Sequence, residues 1–105
     1  MAVTIAAIQP GVTLGSSSTT IATGAGSTTT ITTGIVANSS AAAITLAVSV
    51  ARAAGGTFPV IVGRSVAAGS SALPPELASF VLKSGDTLTA TGDGLSIILN
   101  GMVVS

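Results

Sequence analysis

The stretch TTTITTGIVANSSAAAITLAVSVAR, Thr28 to Arg52, decides the fold of this 105-residue chain. From Ile44 onward its side chains alternate. Ile44, Leu46, Val48 and Val50 point one way and Thr45, Ala47, Ser49 and Ala51 the other, the period of two that a half-buried strand requires. Upstream, Thr29, Ile31, Thr33 and Ile35 alternate with Thr30, Thr32 and Gly34, and β-branched Thr and Ile suit a pleated surface. Asn38-Ser39-Ser40 lies between the two runs, and its short polar side chains can bond back to the main chain in a turn. The expectation is a long β-hairpin.

Working outward, Ala2 to Ile8 is β-prone and Pro10-Gly11 should close it, leaving an edge strand or an arm on a neighbouring subunit. Ser16 to Thr30 is rich in Ser, Thr and Gly, with Gly24-Ala25-Gly26 as the expected bend before the central strands. Downstream, Ala53 to Pro59 predicts a hairpin-type connection into Val60-Ile61-Val62, with a bulge at Gly63-Arg64. Leu73 to Leu82 is the one helix candidate, of two or three turns at most. Pro75 suits a first turn, and Leu77, Phe80 and Val81 fall at helical spacing. Lys83-Ser84-Gly85-Asp86 closes it, with Gly85 suited to a left-handed position. Thr87 to Thr91 alternates again, and Gly92-Asp93-Gly94 carries the Asp-Gly signal of a tight hairpin into Leu95 to Val104.

About seven or eight strands with frequent turn signals make the expected fold all-β, an antiparallel β-sandwich or jelly roll with one short helical turn. Residues 1–105 are expected to form a single sandwich domain, with 1–27 as an N-terminal arm or edge strands.

Composition limits the function classes. Apolar residues are 48% of the chain, yet aromatics are 2% and charged residues 6%, against about 25% charged in an ordinary soluble domain. Arg52, Arg64, Lys83, Glu76, Asp86 and Asp93 are the whole charged set and sum to zero. Such a surface lacks the net charge that keeps free proteins apart, so much of it is expected to be covered by other subunits. Three scattered cations do not make a nucleic-acid footprint. No apolar run reaches the length of a membrane-spanning helix. The first residues carry no cationic segment of the secretory kind, so synthesis and folding in the cytosol are expected.

No catalytic, cofactor-binding or metal site is expected. The chain has no His to act as a general base and no Cys for thiol or thiolate chemistry. Glu76, Asp86 and Asp93 lack calcium-loop spacing and read as turn carboxylates. Gly24 to Ser27 neither follows a firm strand nor opens a helix, so it does not predict a phosphate cradle. The candidate interface residues are Arg52, Arg64, Phe58 and Phe80. Either arginine can be a solvated rim residue, or can pair with Glu76 or Asp86 across a subunit boundary through its planar fork.

The segments IVANSSAAAITLAVSVARAAGGT (35–57), GRSVAAGSSALPPEL (63–77) and FVLKSGDTLTATGDGLSIILNGMVV (80–104) resemble small structural proteins of tailed bacteriophages. The shared pattern is an alternating strand after Asn38, the Arg64-Ser65-Val66-Ala67-Ala68-Gly69 turn, Leu73 to Leu77, and Leu82 to Ala90 followed by a last strand. The resemblance covers roughly Ile35 to Val104 and carries over no functional residue. It implies a virion protein made in the host cytoplasm, a capsid decoration or cement subunit. Its partners would be itself, as a homodimer or homotrimer, and the major capsid protein or tail proteins, without nucleic acid, membrane or cofactor. A tail or tail-fibre-associated protein is the alternative. A carbohydrate-binding module is disfavoured because the chain has no Trp or Tyr, and an enzyme is the least expected class.

Overall fold

The computed structural model describes residues 3–104. Among them nine strands form two antiparallel sheets. The strands are β1 (Val3–Thr13), β2 (Thr19–Thr23), β3 (Thr28–Asn38), β4 (Ile44–Ala51), β5 (Thr57–Val66), β6 (Ser70–Ala72), β7 (Phe80–Lys83), β8 (Thr87–Thr91) and β9 (Leu95–Val104). The first sheet runs β1-β9-β3-β6, with β7 also on β3, and the second runs β2-β8-β4-β5. β6 and β7 follow one another along the same edge of β3, against Val36–Asn38 and Thr28–Ile31. Pairing is therefore nested. β1 meets β9, β2 meets β8, β3 meets β6 and β7, and β4 meets β5.

The fold is the all-β sandwich that alternation and turn spacing predict. Its shortest dimension is 19 Å, as expected of two sheets about 10 Å apart with their outward side chains. Leu and Ile dominate the closed interior, where Leu46, Leu82, Leu88, Leu95, Ile97 and Leu99 are fully buried. No aromatic residue belongs to that buried set, although Phe80 packs against it.

The central hairpin is not formed. β3 lies in the first sheet and β4 in the second, so Ser39 to Ala43 carry the chain across the sandwich. The alternation of β4 is as expected, with Leu46, Val48 and Val50 inside, but alternation does not say whether the next strand pairs beside or crosses over. The crossing is held by Asn38, which is 2% exposed. Its Nδ2 donates to the carbonyls of Ala42 and Val66, both at 2.9 Å, and its Oδ1 accepts from the N–H and hydroxyl of Ser40.

Gly92-Asp93-Gly94 likewise crosses from β8 in one sheet to β9 in the other, where an Asp-Gly hairpin is expected. Main-chain bonds from Gly92 and Gly94 to Gly15 and Leu14 tie it to the β1–β2 connection instead. The hairpin between β4 and β5 does form. The register shift facing Ala47 falls at Val62-Gly63, next to the expected bulge.

β3 changes phase midway. Thr29 and Ile31 are buried, then Gly34, Val36 and Asn38, because a register shift between Ile31 and Thr33 inserts an extra residue. Ile35 consequently faces outward. Gly34 leaves room above the strand for Leu77, and a Cβ there would lie 2.7 Å from Leu77 Cδ1.

The helix expected over Leu73 to Leu82 is only a 3-10 turn, Pro75–Leu77. Ala78 returns to extended dihedrals and Ser79 takes φ 61°. Phe80 to Lys83 then runs as a strand on β3. Leu77 and Leu82 are the residues buried, while Val81 points out. The open edge of β3 offers a hydrogen-bond ladder that a short helix would leave unfilled. Gly85 has φ 87°, the left-handed value expected of its turn.

Pro10-Gly11 does not end the first strand, since β1 continues to Thr13 through two register shifts. An edge strand tolerates a proline there. β1 and β2 are edges of their respective sheets. Met1 and Ala2 lie outside the described residues.

Candidate functional site

Six connections cross between the sheets, and three of them, β2–β3, β3–β4 and β7–β8, are each pinned by a buried polar side chain, Thr29, Asn38 and Asp86. Thr29 Oγ1 accepts from Ala25 N–H at 2.9 Å and donates to Ala25 carbonyl at 3.2 Å, fixing the β2–β3 loop. Asn38 fixes the β3–β4 crossing. Asp86 does more, because its oxygens reach segments from both sheets. Every buried side-chain nitrogen or oxygen among the described residues has a partner, as burial in low dielectric demands.

Asp86 Oδ1 accepts from the N–H of Ala53 at 2.8 Å. Its Oδ2 accepts from Lys83 N–H at 3.0 Å and from Arg52 Nη1 at 2.8 Å. Its main-chain carbonyl accepts from Gly24 N–H at 2.7 Å. The β4–β5 hairpin, the β7–β8 turn and the β2–β3 loop thus meet at one residue. The N–H of Ala53, then the Arg52 guanidinium, hold the carboxyl below the usual carboxylate range, and burial opposes them. The Arg52 guanidinium carbon also lies 5.7 Å from the centre of the Phe80 ring, within cation–π reach.

This constellation closes an edge. Arg52 Nη1 donates to the outward carbonyl of Val81 at 3.2 Å, and Asp86 takes the outward N–H of Lys83. Two side chains therefore occupy the ladder positions along β7 that an incoming strand would use. Beside them Arg52, Ala54, Val81, Lys83 and Asp86 line a surface depression of about 370 Å³. Its carboxylate is already filled by the chain's own donors.

The second pair is Arg64 on β5 with Glu76 in the 3-10 turn, joined fork to fork through Nη1 to Oε1 at 2.7 Å and Nη2 to Oε2. The Arg64 hydrogen bond lowers the Glu76 carboxyl and raises the guanidinium. Both acidic partners expected for the arginines are found. The gap they span is the one between the two sheets of a single chain, not a subunit boundary, because the nested topology brings Glu76 and Asp86 to the sandwich rim. Arg52 and Phe80 are brought together. Phe58 stands apart, 54% exposed, at the start of β5.

The two outer faces differ. On the second sheet they carry Thr87, Thr89 and Thr91 of β8 beside Thr20, Thr23, Ala47 and Ser49. On the first sheet, cross-strand rows place Ile5, Met102, Thr30 and Val81 side by side, and Ile98 beside Ile35. Val3, Ile5, Ile35, Val81 and Ile98 are exposed there, whereas the second sheet exposes Phe58 and Val62, both on its edge strand β5. The readable signal was that Leu95 to Val104 is apolar at positions of both parities, Leu95, Ile97 and Leu99 inward and Ile98 outward.

Among the described residues no three His, Cys, Asp or Glu side chains gather to hold a metal ion, and no helix is long and apolar enough to cross a membrane. No protein family, curated protein or solved structure matches the chain.

Proposed function

We propose that this chain is a structural protein of a tailed-bacteriophage virion, a decoration or cement subunit that clamps neighbouring shell subunits without covalent bonds. The observation that carries the reading is the apolar outer face of the first sheet on a chain with six charged residues. Four of those six are consumed in internal pairs, Arg52 with Asp86 and Arg64 with Glu76. Lys83 and Asp93 remain to wet the surface. An apolar face so little relieved by charge belongs against another protein.

The nested pairing supports reading the sandwich as a jelly roll, with β6 and β7 counted as one interrupted strand. Viral capsid proteins are among the hosts of that architecture, although fold alone does not assign function. The sequence resemblance over Ile35 to Val104 points the same way. In this role many weakly binding copies stabilise a particle by avidity, and the chain needs no catalytic group.

Co-sedimentation of the purified chain with phage particles stripped of their minor proteins tests the proposal. Saturable binding, lost when Ile35 and Ile98 are both replaced by Lys, is the expected result. Binding only to isolated tails would move the role to the tail. Absence of binding to either, or selective retention on a glycan surface, would overturn it.

A further inference from the structure

The four sheet edges are not equally open. β7 is closed by Arg52 and Asp86. β2 is five residues long, carries a register shift, and gives its Ile21 carbonyl to Gln9 Nε2 at 3.4 Å. β5 contains Pro59 and two register shifts, the devices that discourage strand addition. β1 is different over Val3 to Ala7. Its pairing with β9 there is unbroken, and it carries no charge, proline or glycine.

The direction of its free groups follows from the ladder. The Val104 carbonyl is turned to the β3 side, where it accepts from Ser27 N–H at 2.8 Å and Ser27 Oγ at 2.9 Å. Alternation along β9 then turns Val103 and Gly101 toward β1, where they face Thr4 and Ala6. The N–H and carbonyl groups of Val3, Ile5 and Ala7 are left pointing away from the sheet. The same three side chains stand on its outer face, all exposed, Ile5 at 85%.

We propose that a second copy of this chain adds to β1, antiparallel and two-fold, with Ile5 on the axis. The segment is its own complement. A two-fold at Ile5 pairs Val3 with Ala7 of the other copy, Ile5 with Ile5 and Ala7 with Val3, so the outward groups of one copy meet those of the other. Small Ala7 faces larger Val3, the two Ile5 side chains cover each other, and no like charges are opposed. The two first sheets become one continuous sheet whose apolar rows run on through Met102 and Val81 in both copies. This joint deepens the assembly role proposed above and rests on it only in requiring self-association.

Sedimentation equilibrium of the full chain over a wide concentration range tests it. The expected result is a monomer–dimer equilibrium. Ile5→Pro removes an outward N–H that β9 does not use, and Ile5→Lys sets two ammonium groups against each other on the axis. Each should raise the dissociation constant about tenfold or more, with circular dichroism unchanged. Val62→Lys, equally exposed on β5, should leave it unaltered. Should Ile5→Pro misfold, concentration-dependent protection of the Ile5 amide from exchange decides. A chain that stays monomeric at every concentration, or a dimer indifferent to both Ile5 changes, would overturn the proposal. Dimerisation through β1 with no affinity for particles would instead sink the virion reading and leave this one standing.

Discussion

Arg52 and Asp86 meet at 2.8 Å across the end of the sandwich, the arginine from the hairpin of one sheet and the aspartate from a turn leaving the other. The side chain of Asp86 is 5% exposed and that of Arg52 35%, so the carboxylate is the buried partner and depends on its donors. Both partners also reach the edge of β7, Arg52 at the Val81 carbonyl and Asp86 at the Lys83 N–H.

Acid should therefore loosen the fold chiefly through Asp86, the more buried of the two paired carboxyls. The carboxyls of Asp86 and Glu76 both titrate below their ordinary values in the folded chain. A depressed carboxyl contributes stability that is present above the unfolded pKa, about 4, and lost as pH falls through the folded value. Melting temperature should be flat from about pH 5 to 8 and should fall below about pH 4. Asp86→Asn should lower the plateau and flatten the acid limb. Glu76→Gln should do little to either, since its pair stands at the solvent-exposed rim.

Removing the guard of β7 should cost solubility as well as the stability lost with the partner of buried Asp86. Arg52→Ala uncovers the Val81 carbonyl next to the exposed Val81 side chain. Light scattering on warming should show aggregation at lower temperature than in the wild type, and Arg52→Lys should restore only part of the protection, because an ammonium group lacks the planar guanidinium that reaches the Phe80 ring while Nη1 holds Val81 and Asp86.

Asn38 should tolerate no neighbour in the chemical alphabet. Asn38→Ala leaves the Val66 carbonyl without its side-chain donor and the Ala42 carbonyl with the Ser40 hydroxyl alone, a loss of about 1–3 kcal/mol by urea denaturation. Asn38→Asp keeps the size but turns a donor into an acceptor against two carbonyls. It should be the worse of the two, the opposite of what similarity of shape suggests.

Gly34→Ala should be destabilising by about 1–3 kcal/mol, an overpacking cost. The added methyl would approach Leu77 Cδ1 to 2.7 Å and Leu99 Cδ2 to 3.0 Å. Combining it with Leu77→Ala should recover part of that loss, which a double-mutant cycle measures.

What the sequence discloses follows from how local the determinant is. The strand of Ile44 to Val50 is written in its own side chains and reads correctly. Whether Asn38-Ser39-Ser40 turns a hairpin or crosses the sandwich depends on which distant strand, β9 or β8, is waiting, and adjacent residues carry no trace of that. Gly92-Asp93-Gly94 misleads for the same reason. The phase of β3 is hidden by one inserted residue, after which Ile35 and Val36 exchange faces. The helix over Leu73 to Leu82 fails because Leu77 and Val81 have helical spacing, whereas the free edge of β3 is invisible locally. The acidic partners of both arginines are legible because so few charges exist. That they close edges and crossings within one chain becomes visible only with the topology.

Val3 lies opposite Val104, so β1 can find its neighbour only after everything between the two strands has been made. Non-local pairing of this kind slows folding to about milliseconds or longer. During that wait the unpaired early strands are exposed to other nascent chains. A folding-rate measurement on a circular permutant that joins the two ends and opens elsewhere would show how much of the delay belongs to that last closure.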